Sequence, residues 1–496
     1  MNKILSAEQM KTCDSNTINM HGIPSLVLME RAAISVVIST LSHYPNANTI
    51  YIICGPGNNG GDGVAVARLL YLKQKNVQCV ILGDSSKYSE QLNTEINIAK
   101  SYDVPILYDI YSIDFSSADL IIDAMFGIGL TRGLENEFAH AASLINKCDS
   151  PILSIDMPSG YHTDTGKLLG DIGIHADITI TFAYMKKGLI LGDCKASSGQ
   201  VYVADVGIYT DDQEIYANIA DDEILSFIKP RPTDANKGTC GKLLIVAGSE
   251  EIYGACYLAA KSALTTGTGL VKIFTHKNNI SNLQKNLPEA MYLGYDSFDA
   301  EGLLSSMNWA DVILIGPGLG TGELSSKILT TILNQANCPV IFDADGLNLL
   351  AEDTNRLKEI CNRCPVILTP HLKEMERLTG TPVATIKYNI EDTACSFAKE
   401  YSCTIILKDA TTIVASPYKT TYIISGNESL ATPGSGDVLA GIVASLIAQA
   451  PDNYDNMAIA ATHLHGKAGR IAGNKYGTKG VLANDIIEAL RTMPLP

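Results

Sequence analysis

The stretch TIYIICGPGNNGGDGVAVARLLYLK, residues 49–73, decides the fold of the first half of this chain. A β-branched apolar run leads through a glycine-rich segment into a helical pattern, which is typical of the strand–turn–helix units of parallel α/β sheets. A second stretch, SGNESLATPGSGDVLAGIVASLIAQ, residues 425–449, also opens an apolar helix with a glycine-rich turn. Backbone N–H groups at helix N-termini form natural anion sites, so both stretches predict bound ligands.

Further short apolar runs alternate with helical patterns and fall into two series. The first contains VQCVIL (77–82), DLIIDA (119–124) and PILSID (151–156). The second contains KLLIVAG (242–248), DVILIGPG (311–318), PVIFDAD (339–345), PVILTP (365–370) and CTIILKD (403–409). The acidic segment between them has two prolines around Arg231 and shows no strand-like run before Lys242. We therefore predict two different α/β folds, with a boundary near 210–230.

The composition indicates an acidic globular protein. The 496 residues include 37 Lys and Arg against 53 Asp and Glu, a net charge of -16, which argues against nucleic acid or an anionic membrane surface as the main partner. Twelve scattered cysteines do not form a disulfide scaffold, and the Cys361–Cys364 pair lacks a second ligand pair for zinc. The N-terminus lacks a signal-peptide pattern, and the longest apolar stretch, near 438–450, is short for a membrane span. We expect a soluble, cytoplasmic protein.

The glycine-rich segment after residue 54 has three interpretations. Gly55, Gly57 and Gly60 satisfy GxGxxG, and Asp84 ends the next strand, as in a Rossmann dinucleotide site. Against this, polar side chains lie inside the segment, and Asp62 would repel a pyrophosphate on the helix. A structural turn that only joins strand to helix is the second interpretation, and a ligand site of another kind is the third and favoured one. No GK[ST] follows, which excludes a P-loop.

Two more polar segments follow strands in the same half: DAMFGIGLTRG after 119–122 and DMPSG after 151–155. Ligands bind outside the carboxyl ends of parallel strands, so Asn59, Asp123, Asp156 and Ser159 could converge on one pocket. A cluster of oxygen ligands suits a cation, and its low formal charge favours a monovalent one. Each aspartate alone could equally be a helix N-cap.

In the other half, Asp437 follows the glycine-rich turn PGSG. A carboxylate beside an anion site repels phosphate, unless it accepts a proton from an attacking hydroxyl group. The alternative is a first-turn aspartate that interacts with the helix dipole. His371 follows a strand and could orient a phosphate or ribose, or be a surface residue. His463 and His465 are two residues apart, which makes a metal pair on a helix improbable.

The first half resembles the NAD(P)H-hydrate epimerase domain over residues 1–210, through LMERAA (28–33), GPGNNGGDG (55–63), DAMFGIGLTRG and IDMPSG. The resemblance implies that Asp156 contacts the reacting ring of the substrate, where it could act as general acid and base. It implies a potassium ion held by Asn59, Asp123 and Ser159. The positions implied to bind the substrate are Asn58, Asn59, Gly60, Gly61, Asp62, Gly127, Ile128, Gly129, Leu130, Thr131, Arg132 and Gly133.

Residues 225–496 resemble the ribokinase-like superfamily and, within it, the NAD(P)H-hydrate dehydratase domain. The motifs are KGTCGKLLIVAGS (237–249), YGAC, GPGLG, DADGLN, TPHxxEM and ATPGSGDVLAG. The resemblance implies that Asp437 deprotonates the ring hydroxyl group, with Mg²⁺ and ADP or ATP as cofactors. Ala255, Gly318, His371 and Asp437 match positions that bind the hydrate. The positions that match the adenine nucleotide site are Lys408, Asp409, Ala410, Thr411, Thr412 and Gly436.

The chain departs from this second pattern at three places. Lys373 and Asp409 replace residues that are usually glycine, and Glu428–Ser429 replaces Pro-Gly. Asp409 adds a negative charge near the expected nucleotide, so the preference between ADP and ATP stays open, with the resemblance favouring ADP. The catalytic turn itself is intact.

We therefore predict two three-layer αβα domains: a Rossmann-like epimerase domain, residues 1–212, and a ribokinase-like dehydratase domain, residues 222–496. Together they would repair hydrated NADH and NADPH, as isomerase and lyase, in a cytoplasmic homo-oligomer. The alternative is a ribokinase-like kinase for a thiazole, pyrimidine or sugar alcohol, fused to a noncatalytic nucleotide-binding module. Release of a stable phosphorylated product would distinguish the kinase.

Overall fold

The computed structural model describes residues 2–208, 210 and 217–493. They divide into two compact units: an N-terminal unit that starts at Lys3, and a C-terminal unit that comprises the described residues from Ala217 onward together with Asn2, the first residue of a strand that otherwise belongs to the N-terminal unit. The predicted boundary residue 212 lies outside the described residues.

The N-terminal unit consists of strands and helices in alternation. Its strands are β1 (Asn2–Leu5), β2 (Thr49–Cys54), β3 (Asn76–Ile81), β4 (Ile106–Leu107), β5 (Leu120–Ala124), β6 (Ile152–Ile155), β7 (Ile178–Phe182), β8 (Met185–Lys186) and β9 (Gln200–Ala204). Its helices are α1 (Ala7–Asn19), α2 (Ser25–His43), α3 (Asn58–Leu72), α4 (Glu90–Ser101), α5 (Asn136–Ile145) and α6 (Cys194–Ser197).

The main sheet of this unit is parallel, in the order β4-β3-β2-β5-β6-β7-β9. The chain runs outward from β2 in one direction and then returns to build outward from β5 in the other. This is the strand order of a Rossmann-like fold, and it confirms the predicted fold class. The carboxyl ends of β2 and β5 flank the point of reversal, which is where such sheets bind ligands. Outside this sheet, β1 pairs with β8 in parallel.

Alternating residues of the central strands supply two apolar layers. Ile50 and Ile52 of β2 pack with the buried residues of α2, α3 and α4. Tyr51 and Ile53, which point the other way, pack with the buried residues of α5. Helices therefore cover both faces of the sheet, as predicted for a three-layer αβα unit.

The helix after β2 begins closer to the strand than the glycine-rich sequence suggests. Helix α3 begins at Asn58, so the segment treated as a loop up to residue 63 contains the first turns of the helix. The glycines serve close packing here. A Cβ atom at Gly63 would lie 2.5 Å from Cβ of Ala124, and one at Gly60 would overlap the carbonyl group of Gly55. The low helix propensity of glycine explains why the sequence does not show this helix start.

Helix α2 is long and apolar enough to cross a membrane by length and composition. It is longer than the apolar stretch near 438–450. Its buried face, including Ala33, Val36 and Val37, packs against the sheet in the apolar layer described above. Core helices of soluble domains meet the same criterion of length and composition.

The C-terminal unit has a larger set of elements. Its strands are β10 (Ala217–Ile219), β11 (Lys242–Val246), β12 (Leu270–His276), β13 (Met291–Tyr295), β14 (Val312–Ile315), β15 (Val340–Phe342), β16 (Val366–Leu368), β17 (Thr404–Leu407), β18 (Thr412–Ala415) and β19 (Thr420–Ile423). Its helices are α7 (Gly254–Thr265), α8 (Ile280–Asn286), α9 (Ala300–Trp309), α10 (Glu323–Gln335), α11 (Asp345–Leu350), α12 (Arg356–Cys361), α13 (Leu372–Thr379), α14 (Val383–Tyr388), α15 (Ile390–Tyr401), α16 (Ser435–Gln449), α17 (Tyr454–Tyr476) and α18 (Ala483–Thr492).

The strands of this unit pair in the order β13-β12-β11-β14-β15-β16-β17-β18-β19-β10. The segment from β13 to β17 is parallel, and β17, β18 and β19 pair antiparallel. The expectation that no strand precedes Lys242 is wrong, because β10 pairs with β19. Three residues are too few to show a strand period in the sequence.

One face of this sheet carries the largest apolar cluster of the unit. Leu243 and Ile245 of β11 pack there with residues of α7, α16, α17 and α18. Helix α16 is buried along nearly its whole length, which explains its uninterrupted apolar sequence. Its N-terminus follows Gly434, whose φ of 85° is a left-handed conformation that favours glycine.

Candidate active sites

Three neighbouring strands of the N-terminal unit bring the predicted site residues together. Helix α3 follows β2, Asp123 lies near the end of β5, and Asp156 follows β6. Because β2, β5 and β6 are adjacent and parallel, these segments meet at one edge of the sheet. The sequence-based expectation of convergence rests on the same geometry.

Asp123 is fully buried and accepts four hydrogen bonds. The backbone N–H and the hydroxyl group of Ser159 donate to it at 2.9 and 2.7 Å, the Ser154 hydroxyl group at 2.9 Å and the Met125 N–H at 3.2 Å. Burial raises the pKa of this carboxyl group, and the hydrogen bonds partly oppose that shift. Among the described residues it has no ion-pair partner, so a cation beside it would relieve an uncompensated buried charge.

Asn59 supplies a second feature that suits a cation. Its Nδ2 atom is buried and finds no hydrogen-bond partner among the described residues. The amide oxygen and nitrogen are interchangeable by rotation of the side chain, so this position can present an oxygen instead. Together with the carboxylate of Asp123 and the hydroxyl group of Ser159, which contact each other, it would supply three oxygen ligands with one formal charge. Such a set fits a large monovalent cation.

Asp156 has an unusual backbone conformation and firmly held carboxylate oxygens. Its φ of 67° lies in the left-handed region, which is rare for a residue other than glycine and is found at functional sites. Its Oδ1 atom accepts a hydrogen bond from Thr181 at 3.3 Å and forms an ion pair with Lys186 at 2.9 Å. Its Oδ2 atom accepts the Ile128 N–H at 3.1 Å. A buried lysine next to this aspartate was not predicted.

Asp62 lies in the second turn of α3, where its surroundings favour the protonated form of its carboxyl group. Burial raises the pKa of its carboxyl group well above the usual range, and the charge of Asp156 raises it further. A protonated Asp62 would not repel an anion at the helix N-terminus. Asp62 is therefore compatible with a phosphate group at this position.

The residues of the segment 127–133 differ in whether they adjoin Asp156, are exposed to solvent or pack in the apolar core. A Cβ atom at Gly127 would lie 2.5 Å from Oδ2 of Asp156, so glycine keeps the space beside this carboxylate open. Gly129, Thr131 and Arg132 are exposed. Leu130 is 9% exposed and packs in the apolar layer that contains α5.

Of the other two residues of this segment, Gly133 has a packing role and Ile128 lines a cavity. A Cβ atom at Gly133 would come within 2.6 Å of the Leu169 carbonyl oxygen, which gives this glycine a packing role. A cavity of about 330 Å³ lies beside the segment and is lined partly by Ile128, Leu130 and Thr131. Ile128 therefore contacts Asp156 through its backbone and also lines the cavity.

Two of the predicted substrate-binding residues lie in the first turn of α3. Asn58 is exposed and Gly61 packs against Met29.

In the C-terminal unit, Asp437 lies in the first turn of α16, directly after the glycine-rich turn. The pKa of its carboxyl group is raised to about 7, mainly by burial and secondly by the negative charge of Asp343, while Lys408 opposes the shift. A general base works best when its pKa lies close to the working pH. The position and acidity of Asp437 thus suit proton transfer.

Lys408 and Asp343 form an ion pair beside this turn. Nζ of Lys408 lies 3.1 Å from Oδ1 of Asp343, which also accepts a 2.6 Å hydrogen bond from the Thr369 hydroxyl group. Burial alone lowers the pKa of Lys408, but the charges of Asp343, Glu374 and Asp437 outweigh it and raise the pKa. Lys408 is therefore a stable cation at the carboxyl ends of β15 to β17.

The glycine-rich turn lies within reach of this cation. A Cβ atom at Gly436 would be 3.5 Å from Nζ of Lys408, so a ligand on the turn also meets the lysine. The other predicted nucleotide-binding residues form the connection from β17 to β18. Asp409 and Ala410 are exposed, Thr411 is buried, and Thr412 begins β18.

Ala255 and Gly318, both predicted to bind the hydrate, lie next to each other. A Cβ atom at Gly318 would be 3.3 Å from Cβ of Ala255. His371 has a structural role, because its Nδ1 atom accepts the N–H groups of Lys373 and Glu374, each at 3.1 Å, and caps α13. Burial lowers the pKa of His371. This shift favours the neutral form of the ring, and half of the side-chain surface is exposed and open to a ligand.

His463 and His465 do not form a pair. His463 lies 3.0 Å from Asp222 and His465 lies 3.2 Å from the hydroxyl group of Ser435. The two rings thus have different partners, as predicted from their spacing on a helix. Ser435 belongs to the glycine-rich turn. His465 therefore supports this turn through its contact with the hydroxyl group of Ser435.

The departures from the family pattern have local structural effects. Lys373 forms an exposed ion pair with Glu376 at 2.6 Å. Ser429 is buried, in contact with the helix that contains Gly473. Within the part of the chain that the structure describes, neither residue forms a hydrogen bond or an ion pair with Asp437.

Three residues of these sites were not predicted: Lys186, Asp343 and Glu374. Asp343 and Glu374 stand in DADGLN and TPHLKEM, two segments already assigned to strand ends, but nothing in the sequence distinguishes them from capping residues. Lys186 follows a buried strand in the sequence FAYMKKG, where a lysine normally suggests a return to solvent.

Comparisons with known proteins match both units. Residues 243–492 match the family model described as NAD(P)H-hydrate dehydratase, and residues 25–188 match the family model described as YjeF-related protein N-terminus. A bifunctional NAD(P)H-hydrate repair enzyme of Thermofilum pendens is 32% identical over 99% of this chain and 97% of its own length. The protein of the same name from Escherichia coli is 33% identical over 99% of this chain and 93% of its own. Among solved structures, a ribokinase-like superfamily protein from Enterococcus faecalis is 27% identical, with a TM-score of 0.50, over 56% of this chain and 94% of that one.

Proposed function

The chain belongs to the family of bifunctional NAD(P)H-hydrate repair enzymes, and we propose a specific division of labour between its two units. The unit within residues 1–212 interconverts the R and S epimers of hydrated NADH or NADPH. The unit within 222–496 dehydrates the S epimer with ADP or ATP. One observation carries the proposal: each unit has a carboxylate near a glycine-rich helix start, since Gly127 adjoins both Asp156 and Asn59 of α3, and Asp437 lies in the first turn of α16.

The epimerase reaction needs proton transfer at a carbon that bears both a hydroxyl group and the ring nitrogen. Such a hemiaminal loses its stereocentre through a ring-opened or iminium-like state. Asp156 is the carboxylate that accepts and returns the proton of the ring hydroxyl group. Proton transfer of this kind typically contributes about 10²–10⁴-fold in rate. The N–H groups at the start of α3 bind phosphate groups of the substrate.

Asn59, Asp123 and Ser159 would hold the potassium ion of this unit. When bound, it would supply a fixed positive charge beside the phosphate groups or the loop. The ligands meet this role because Asp123 is a buried carboxylate without an ion-pair partner among the described residues. The potassium ion has no part in the proton transfer at Asp156.

The dehydratase reaction proceeds through transient phosphorylation. Asp437 takes the proton from the ring hydroxyl group, and the hydroxyl oxygen attacks the terminal phosphorus of the nucleotide, with AMP as the leaving group when ADP is used. The ring C–O bond of the phosphate ester then breaks, inorganic phosphate leaves with the bonding electrons, and loss of a proton from the adjacent carbon restores the ring double bond. The products are NAD(P)H, phosphate and either AMP, when ADP is used, or ADP, when ATP is used.

Lys408 and the glycine-rich turn bind the phosphate groups of the nucleotide in this proposal. The residues from Asp409 to Thr412 contact its adenosine part, and Ala255, Gly318 and His371 contact the hydrate. The described residues hold no cluster of three or more His, Cys, Asp or Glu that fits a metal ion. Mg²⁺ therefore fits as an ion carried mainly by nucleotide phosphates, where it offsets their charge.

A mixture of both hydrate epimers tests the proposal directly. The full chain is incubated with the mixture, K⁺, Mg²⁺ and either ADP or ATP, and the absorbance of the reduced nicotinamide is followed. Complete recovery is the expected result. Recovery limited to the S epimer leaves only the dehydratase, and a stable phosphorylated product without recovery would favour a small-molecule kinase instead.

A further inference from the structure

We propose that Lys186 is a positioning residue of the epimerase site: its buried ammonium group anchors one carboxylate oxygen of Asp156 and leaves the other oxygen for the substrate. The inference rests on the proposed epimerase function of the N-terminal unit.

Lys186 is buried to an extent that is rare for a lysine. Its side chain is 1% exposed. All three ammonium protons have acceptors: the Phe182 carbonyl oxygen at 2.7 Å, the Thr181 hydroxyl oxygen at 2.8 Å and Oδ1 of Asp156 at 2.9 Å. Replacing a buried ion pair by apolar residues is often neutral or stabilising. Stability alone is therefore a weak reason for this arrangement.

The backbone around Lys186 directs its side chain back to the sheet. β7 ends at Phe182, and the next residue, Ala183, has a left-handed φ of 60°. The chain then enters β8, in which Lys186 pairs with Leu5 of β1. The ammonium group consequently returns to the carbonyl group of Phe182, beside the residue that follows β6.

The two oxygens of Asp156 have different surroundings. Oδ1 receives both Lys186 and Thr181, which fills its two lone-pair positions. Among the described residues, Oδ2 receives only the Ile128 N–H, and it faces Gly127, where the missing side chain leaves space. Oδ2 is thus the oxygen that can accept a proton from the substrate. Lys186 acts through Asp156 and does not itself need to touch the substrate.

Other charges near Asp156 do not replace this contact. Asp62 interacts electrostatically with Asp156, and burial raises the pKa of its carboxyl group well above the usual range, but a carboxyl group cannot supply the positive charge of Lys186. Within the described residues, Lys186 is the cation that pairs with Asp156. Removing the ammonium group would leave the carboxylate free to rotate and to redistribute its hydrogen bonds.

A double-mutant cycle in the full chain separates a positioning role from a structural one. The variants are Lys186→Met, Asp156→Asn and the double variant, with Lys147→Met as a control at an exposed lysine of the same unit. The R and S epimers are separated by chromatography after incubation of one epimer in K⁺ buffer without nucleotide. Dehydratase activity and the thermal unfolding midpoint of each variant report on folding.

Lys186→Met is expected to lower kcat about 10- to 100-fold while KM changes less than about threefold, within the range of a lost general base. In the Asp156→Asn background the same substitution is expected to cost less than about twofold, because the two side chains act as one unit. Lys147→Met is expected to leave the rate unchanged.

Equal costs of Lys186→Met in both backgrounds, or an effect on KM alone, overturn the inference. Thr181→Val provides the same cycle with a change of similar volume if Lys186→Met unfolds, since Thr181 also contacts Oδ1 and Lys186. Additive costs for Thr181→Val would then overturn it. A wild-type chain without epimerase activity overturns the proposed function, and the inference with it.

Discussion

The carboxyl group of Asp437 shows how the surroundings of one residue set its acidity. Burial and the neighbouring Asp343 favour its protonated form, and Lys408 favours its ionised form. The result is a pKa of about 7, compared with a usual value near 3.8. A group with this pKa exchanges protons readily at neutral pH.

Asp437→Asn is expected to lower the dehydratase rate about 10²–10⁴-fold, because an amide cannot accept the hydroxyl proton. The measurement is formation of reduced nicotinamide from the S epimer with saturating ADP or ATP. The epimerase rate of the same variant serves as its control. A variant that retains the wild-type dehydratase rate would exclude Asp437 as the base.

The pH dependence of the dehydratase follows from the same pKa. The ionised form of Asp437 accepts the proton, so kcat/KM is expected to rise from about pH 6 to about pH 8 with a midpoint near 7. Steady-state rates at fixed ionic strength measure this profile. A flat profile over this range, with the enzyme still folded, would contradict the assignment.

The stability of the C-terminal unit should depend on Asp437 in the opposite direction. Its pKa is higher in the folded than in the unfolded state, so its contribution is greatest at low pH and is lost as the pH rises through about 7. Asp437→Asn is therefore expected to raise the thermal unfolding midpoint of this unit at pH 8. An unchanged or lower midpoint at this pH would mean that the carboxylate is better compensated than its surroundings indicate.

Helix α3 can pack closely against the sheet because residue 63 is a glycine, which has no side chain to separate the two. Gly63→Ala would place a Cβ atom 2.5 Å from Cβ of Ala124 and 2.7 Å from Sγ of Cys54. Overpacking of this kind typically costs about 1–3 kcal/mol. Urea unfolding of the N-terminal unit measures the change, and Gly57→Ala is a matched control because nothing lies within 4 Å of the position that its Cβ atom would occupy.

A lower stability of Gly57→Ala than of Gly63→Ala would contradict this role of glycine in α3. The two variants also separate the two roles of the glycine-rich segment. Gly57 is the N-cap residue that precedes the helix, whereas Gly63 belongs to the contact between helix and sheet.

For the complete chain, the two reactions are expected to complement each other between different molecules. Asp156→Asn and Asp437→Asn each remove one reaction, so neither variant alone converts a mixture of epimers completely at the wild-type rate. Equal amounts of both variants should restore complete conversion, because the R epimer released by one chain can be repaired after epimerisation by another. Recovery of nicotinamide absorbance measures this. Failure of the mixture, with each single activity intact, would show that the hydrate must pass between sites of one chain.

Much of the fold could be predicted because buried parallel strands have a strong local pattern. TIYIIC coincides with β2, and the predicted run KLLIVAG contains β11. β10 was missed because three residues carry no period, and the start of α3 was missed because glycine has a low helix propensity. The homo-oligomeric state and the cytoplasmic location stay predictions, for which light scattering and fractionation are the measurements.

The residues of the candidate sites also fall into two groups: those that the sequence indicated and those that only the structure identified. Asp156 and Asp437 were found from their places after strands and glycines, since these are local features of the chain. Lys186 and Asp343 were not, because each acquires its significance from a partner distant in sequence: Asp156 is 2.9 Å from Lys186, and Lys408 is 3.1 Å from Asp343. Local pattern therefore determines which segments reach the edge of each sheet. Burial and charge pairing, which depend on contacts across the folded chain, decide the direction in which the pKa of each carboxyl group shifts and which of its oxygens already have partners.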